Sequence, residues 1–162
     1  MSIKSFLAIP FAKIIRKKVY KWANNPLETQ EKVFQMLVKT AKNTVFGKDH
    51  DFENIKTYSD FKKRVQVTDY EGLKPYIDSI FAGKSDVLWP GKPLYFAKTS
   101  GTTSGAKYIP LTKESMPTHI EAARNALLFY IAEKNDASFV DGKMIFLQGS
   151  PVLQEKNGVK LG

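Results

Sequence analysis

Residues 98–107 read Lys-Thr-Ser-Gly-Thr-Thr-Ser-Gly-Ala-Lys, and this segment concentrates the groups of the chain most able to do chemistry. Five of the ten side chains are hydroxyls, two positions are glycine, and Lys107 closes the run. Phosphate oxygens suit such a set. Gly101 and Gly105 can take positive φ, which lets backbone N–H groups converge on an anion. Thr99, Ser100, Thr102, Thr103 and Ser104 offer short hydroxyl donors, and Lys107 supplies a point charge on a flexible stem. A plain Ser/Thr/Gly turn between strands has the same composition, so the order of the residues has to decide.

The familiar nucleotide loops do not match that order. A Walker A loop needs four residues between its glycines and a Gly-Lys pair followed by a hydroxyl residue. Here three residues separate the glycines, Ala106 precedes Lys107, and Tyr108 follows. The three spaced glycines of a dinucleotide fingerprint are absent. A hydrolase elbow would read Gly-x-Ser-x-Gly, whereas Gly-Thr-Thr-Ser-Gly stands here, with no matching triad.

The elements around the segment follow from pattern. Leu94–Ala97 and Tyr108–Leu111 read as strands, which makes the segment a strand-loop-strand connection. Pro110 confines the second strand to an edge or strand end. Upstream, Phe11, Ile14, Ile15, Val19 and Trp22 recur at helical spacing. Asn25-Pro26 caps a helix over 26–44, and Gly47 to Asp51 reads as a turn. Thr57 and Asp60 form a capping box for a short helix through Arg64. Asp69 starts a helix that Pro75 should break or restart and Gly83 should stop. Residues 89–93, Trp-Pro-Gly-Lys-Pro, must be a loop. Downstream, Thr112 caps a helix over 113–134 whose face is Met116, Ile120, Ala123, Leu127, Tyr130 and Ile131. Asp141-Gly142 is a turn, Lys143–Leu147 a strand, and residues 148–162 close no element.

Composition bounds the class. The 162 residues are enough for about one domain with a real core. At 43% hydrophobic residues the bulk of the chain is not disordered. There is no Cys, so disulfides, thiolate nucleophiles and Cys-based zinc sites are excluded, and two His cannot build a His-rich metal centre. His50 and His119 are assigned to surface or packing roles. No apolar run approaches the ~18 residues that cross a bilayer.

The formal charge of +9 is unevenly placed. Residues 1–22 hold six cations and no acid, whereas the remaining 140 carry 19 basic and 16 acidic side chains. The basicity therefore belongs to an amphipathic N-terminal helix and not to a nucleic-acid-binding domain. Its charges follow the apolar stretch and no cleavage site appears, which argues against a signal peptide. Such a helix can lie on an anionic surface, or it can pack its stripe on the rest of the protein, which is the expected outcome.

The string Thr99-Ser100-Gly101-Thr102-Thr103-Ser104-Gly105-Ala106-Lys107-Tyr108-Ile109-Pro110, with Leu88-Trp89-Pro90-Gly91 before it, resembles the phosphate loop of adenylate-forming enzymes. It is most similar to the auxin-responsive Gretchen Hagen family of acyl-acid amido synthetases, and the resemblance extends over essentially the whole chain. The resemblance implies an enzyme that activates a carboxylic acid with ATP and Mg²⁺ and passes the acyl group to an amino acid. It implies that Thr99, Ser100, Gly101, Thr102, Thr103, Ser104, Gly105 and Lys107 hold the ATP phosphates, and that Arg124 faces the acyl-acid carboxylate. Family members often carry Ser at the place of Thr99; the hydroxyl is kept. No catalytic residue and no protein metal ligand is assigned.

The expected fold is α/β: N-terminal helices packed on part of a mixed sheet, within an incomplete large adenylation domain. Residues 1–22 would be a basic helix and 23–162 the N-terminal part of that domain. Family enzymes run to several hundred residues, with adenine-recognition motifs and a small mobile C-terminal domain further on. The chain is thus expected to be a fragment, inactive alone, that exposes core surface and whose partner is the remainder of a cytoplasmic parent chain. A ligase with a thiol acceptor, or a non-enzymatic peripheral module using the basic helix, are the alternatives.

Overall fold

Short polar side chains set most of the helix starts. The computed structural model describes residues 2–99, 105–143, 145 and 153–161. Among the described residues six α-helices run Ile3–Ala23 (α1), Pro26–Ala41 (α2), Val45–Asp49 (α3), Tyr58–Arg64 (α4), Tyr70–Phe81 (α5) and Met116–Lys134 (α6). The described residues also form four strands, Tyr95–Lys98 (β1), Tyr108–Leu111 (β2), Gln154–Lys156 (β3) and Val159–Leu161 (β4). Contacts divide the chain into two units: Met1–Gln30 with Glu114–Gln148, and Glu31–Lys113 with Gly149–Gly162.

In the first unit, α1 starts at Ile3, well ahead of the apolar positions Phe11 to Trp22. Ser2 caps it by accepting the Ser5 N–H at 3.3 Å. The Ser2 N–H and the Ser2 and Ser5 hydroxyls all donate to the Asp141 carboxylate. These donors hold the Asp141 carboxyl below the usual carboxylate range, the Ser2 hydroxyl contributing most. Pro10 sits inside the helix. The packing face differs from expectation as well. Ala12 is fully buried against Leu128, Ile131, Ala132 and Ala137, with Ala8, Ile9 and Ile15 beside it. Phe11, Ile14 and Trp22 stay exposed. Small side chains let two helix backbones approach closely, so alanines take the contact with α6 and the large residues do not. On α6 the buried face is Leu128, Ile131 and Ala132, whereas the expected Ile120, Leu127 and Tyr130 are exposed. That helix starts at Met116 after a turn over 113–115, not at a Thr112 cap, and Pro117 lies in its first turn.

In the second unit, α2 ends at Ala41, because Thr44 opens α3. Of the turn expected over Gly47 to Asp51, residues 47–49 belong to α3 and residues 50–51 form the turn. The buried Thr44 hydroxyl donates to Ala41 O at 2.7 Å and accepts the Gly47 N–H at 3.0 Å. Only glycine fits at 47, since a Cβ there would lie 2.1 Å from Ala41 O. The capping box of Thr57 and Asp60 is present on α4, and Asp69 caps α5 through the Gly72 N–H. Pro75 does not break α5. Its ring costs a bond to the Glu71 carbonyl, and the burial of Ile77 and Ile80 outweighs that single loss. Gly83, at φ +94°, ends the helix, and residues 89–93 form the expected loop.

The sheet is mixed and ordered β2-β1-β4-β3. β1 pairs antiparallel with β2 and parallel with β4, while β3 and β4 form a hairpin. That hairpin corrects the expectation that residues 148–162 close no element. Its turn is Asn157-Gly158, both at positive φ, which matches the right-handed strand twist. The expected strand at Lys143–Leu147 is absent at Lys143 and Ile145, and its other residues lie outside those described. α5 covers the sheet: Ile77 and Ile80 pack with Val87, Phe96 and Val159. A second cluster joins Val38, Ala41, Phe52 and Ile55. Large apolar side chains that stay exposed include Ile3, Phe6 and Val67.

Candidate functional site

The hydroxyl-rich segment sits where the sequence places it, as the connection between β1 and β2. The ladder pairs Lys98 with Tyr108, and Pro110 pairs with Phe96. β2 is an edge strand of the described sheet, which is why Pro110 is tolerated. Ser100, Gly101, Thr102, Thr103 and Ser104 lie outside the described residues, and the site is built from the two sides of the loop.

Thr99 and Lys107 hold those sides together one step beyond the ladder. The Thr99 N–H donates to Lys107 O at 2.9 Å. The Lys107 N–H donates to the Thr99 hydroxyl at 3.1 Å. Gly105 is exposed at φ +80°, and a Cβ added to it would meet nothing within 4 Å. Space is therefore not what requires glycine there; the left-handed backbone is. Phe96 anchors the hairpin from below. It is fully buried and stacks on Phe81 of α5 with centroids 4.3 Å apart.

Lys107 is half-buried, and its ammonium lies over the ring of Tyr70 at 5.8 Å from the centroid. The Tyr70 hydroxyl accepts the Tyr108 N–H at 3.0 Å. Sequence reasoning missed Tyr70. It is the first residue of α5 and its partners are remote in the chain, so no local spacing announces it. Beside it, Glu71, Lys74, Asp78, Phe81, Ala106 and Tyr108 line a cleft of roughly 290 Å³. The Lys74 ammonium bonds Asp78 at 2.6 Å, which raises the Lys74 pKa above the usual lysine value.

Arg124 belongs to the first unit, on α6. Its guanidinium meets Glu121 at 3.5 Å and the Asn125 amide oxygen at 3.3 Å, on an exposed stretch of helix. His50 stacks on Phe46 at 4.0 Å, and its Nδ1 lies 2.9 Å from Phe46 O. His119 is exposed. Among the described residues no group of three or more His, Asp and Glu could hold a metal ion, and no helix is long and apolar enough to cross a membrane.

The family follows from comparison with known sequences. Residues 15–162 match the GH3 family N-terminal domain, and the chain belongs to that family. It is similar to the indole-3-acetic acid-amido synthetase GH3.2 of Arabidopsis thaliana, 31% identical over 102 residues that make up 62% of this chain and 19% of the relative. It is also similar to the probable indole-3-acetic acid-amido synthetase GH3.13 of Oryza sativa subsp. japonica, 43% identical over 58 residues, 35% of this chain and 12% of the relative. Among solved structures, a GH3.15 acyl acid amido synthetase matches with TM-score 0.77 and 22% identity, over 90% of this chain and 26% of that one. The same enzyme in complex with 2,4-DB matches with TM-score 0.71 and 24% identity, over 82% and 23%. These structures share the fold. The chain spans about a fifth or less of the length of the curated relatives it matches.

Proposed function

We propose that this chain is the N-terminal part of a cytoplasmic, ATP-dependent acyl-acid amido synthetase, and that its β1–β2 hairpin holds the triphosphate. In that reaction a carboxylate is adenylated, pyrophosphate leaves, and an amino-acid amine displaces AMP to give an amide. The observation that carries the reading is the pairing of an open, left-handed Gly105 with a half-buried Lys107 at the mouth of one loop. This set fits phosphate oxygens: a backbone free to turn its N–H outward, and a cation to offset charge that shifts between oxygens. Ser100 to Ser104 would complete the cradle with Thr99. Mg²⁺ would arrive with the nucleotide phosphates and supply further charge neutralisation. Arg124 would hold the acyl-acid carboxylate, for which a guanidinium fork is suited. Residues 1–22 would form a basic helix ahead of the adenylation domain that begins at 23.

The test is acyl-acid-dependent ATP–pyrophosphate exchange by the complete polypeptide that carries this chain, followed by amide product analysis with a panel of amino acids. Exchange that requires an acyl acid, and amide formation, are expected; residues 1–162 alone should give neither. Absence of exchange with every acid tried, or exchange by the isolated 1–162 chain, would contradict the reading.

A further inference from the structure

We propose that Tyr70 is a positioning residue for Lys107, its ring fixing the ammonium and its hydroxyl fixing the backbone at the mouth of the hairpin loop. The proposal deepens the nucleotide reading and rests on it.

Two contacts on adjacent residues converge on one side chain. The Lys107 ammonium lies over the ring at 5.8 Å, within cation–π reach. The hydroxyl takes the Tyr108 N–H at 3.0 Å. That N–H needs a partner from outside the described sheet. Lys107 and Thr99 bond each other across the hairpin, so by strand alternation the Tyr108 N–H points away from β1, and β2 is an edge. Pro110, two residues on, shares that parity and has no N–H to satisfy. Tyr70 thus serves the last outward N–H before the loop.

The platform is anchored. Tyr70 is the first residue of α5, next to the Asp69 cap, and packs on the cluster that contains Phe96. A lysine loses more rotamer freedom than most side chains when held. Placing the ammonium over a fixed ring bears that loss before nucleotide arrives. The ring takes one face of the ammonium and leaves N–H donors for phosphate. The neighbouring cation in the cleft, Lys74, is engaged by Asp78, so it does not compete for the ring.

The experiment uses the complete polypeptide, with equilibrium binding of α,β-methylene-ATP and the KM and kcat of pyrophosphate exchange. Tyr70→Leu should weaken analogue binding about 2–5-fold and raise KM for ATP by at least the same factor. Tyr70→Phe keeps the ring and should lose less than about 2-fold. In a Lys107→Ala background, Tyr70→Leu should lose clearly less than in the wild type, because no ammonium remains to be positioned and only the bond to the Tyr108 N–H is lost. An equal loss in both backgrounds, or tighter binding by Tyr70→Leu, overturns the positioning role while leaving the nucleotide reading intact. Unchanged binding by Lys107→Ala alone overturns the nucleotide reading and this proposal with it. If Tyr70→Leu does not fold, Tyr70→Met takes its place in the same cycle with Lys107→Ala, since it also removes the ring from under the ammonium.

Discussion

Thr99 and Lys107 bond each other twice, backbone to backbone at 2.9 Å and amide to hydroxyl at 3.1 Å. The second bond makes the side chain of one residue part of the geometry of the loop, and it explains why a hydroxyl is wanted at 99 apart from any ligand. Thr99→Val removes the acceptor and keeps the shape. It should cost about 1 kcal/mol and speed hydrogen exchange at the Lys107 amide, read by NMR or mass spectrometry. Thr99→Ser should preserve the protection. Equal exchange rates in wild type and Thr99→Val would show that the clamp does not hold the mouth.

Phe96 ties the hairpin to the core. With no exposed surface and a stacked partner in Phe81, its truncation leaves a cavity that the β-structure above cannot fill. Phe96→Ala should lose about 3–5 kcal/mol in chemical denaturation. A loss below about 1 kcal/mol would mean that the cluster under the sheet collapses freely.

Two carboxylates tie the stability to acid pH. Asp60 sits below the usual carboxylate range, chiefly through the Thr57 hydroxyl and then the Lys56 and Thr57 N–H groups. Asp141 is lowered in the same direction, chiefly by the Ser2 hydroxyl. A group lowered on folding contributes stability above its unfolded pKa, and loses it as pH falls through the folded one. Denaturant midpoints measured from pH 7 downward should therefore decline below the ordinary Asp range. Asp60→Asn and Asp141→Asn should each start lower at pH 7 and show a shallower acid decline. An unchanged decline in both variants would contradict the assignment.

The parts of the fold legible in the sequence are those decided by near neighbours. Thr57 with Asp60, and Asp69, act within three residues of themselves, so composition and spacing suffice. Pro110 marks its own place, since a residue without an N–H belongs at an edge. The faces of α1 and α6 were not legible, because a helix offers several apolar arcs and the choice is made by how closely the partner approaches; Ala12 wins over Phe11 and Trp22 for that reason. The β3–β4 hairpin was legible in principle, as Asn157-Gly158 is a strong turn signal. The loop of the candidate site could be read from the order of its letters. Tyr70 could not, since 38 residues separate it from Tyr108 and neither local pattern points to the other.

The claim that the β1–β2 hairpin seats a triphosphate has a direct chemical test. An ATP probe with an acyl group on its terminal phosphate transfers that acyl to a lysine amine lying against the phosphates. Peptide mapping of the labelled complete polypeptide should place the acyl group on Lys107, and excess ATP should prevent it. Labelling of other lysines only, or labelling of Lys107 that ATP does not suppress, would contradict the account.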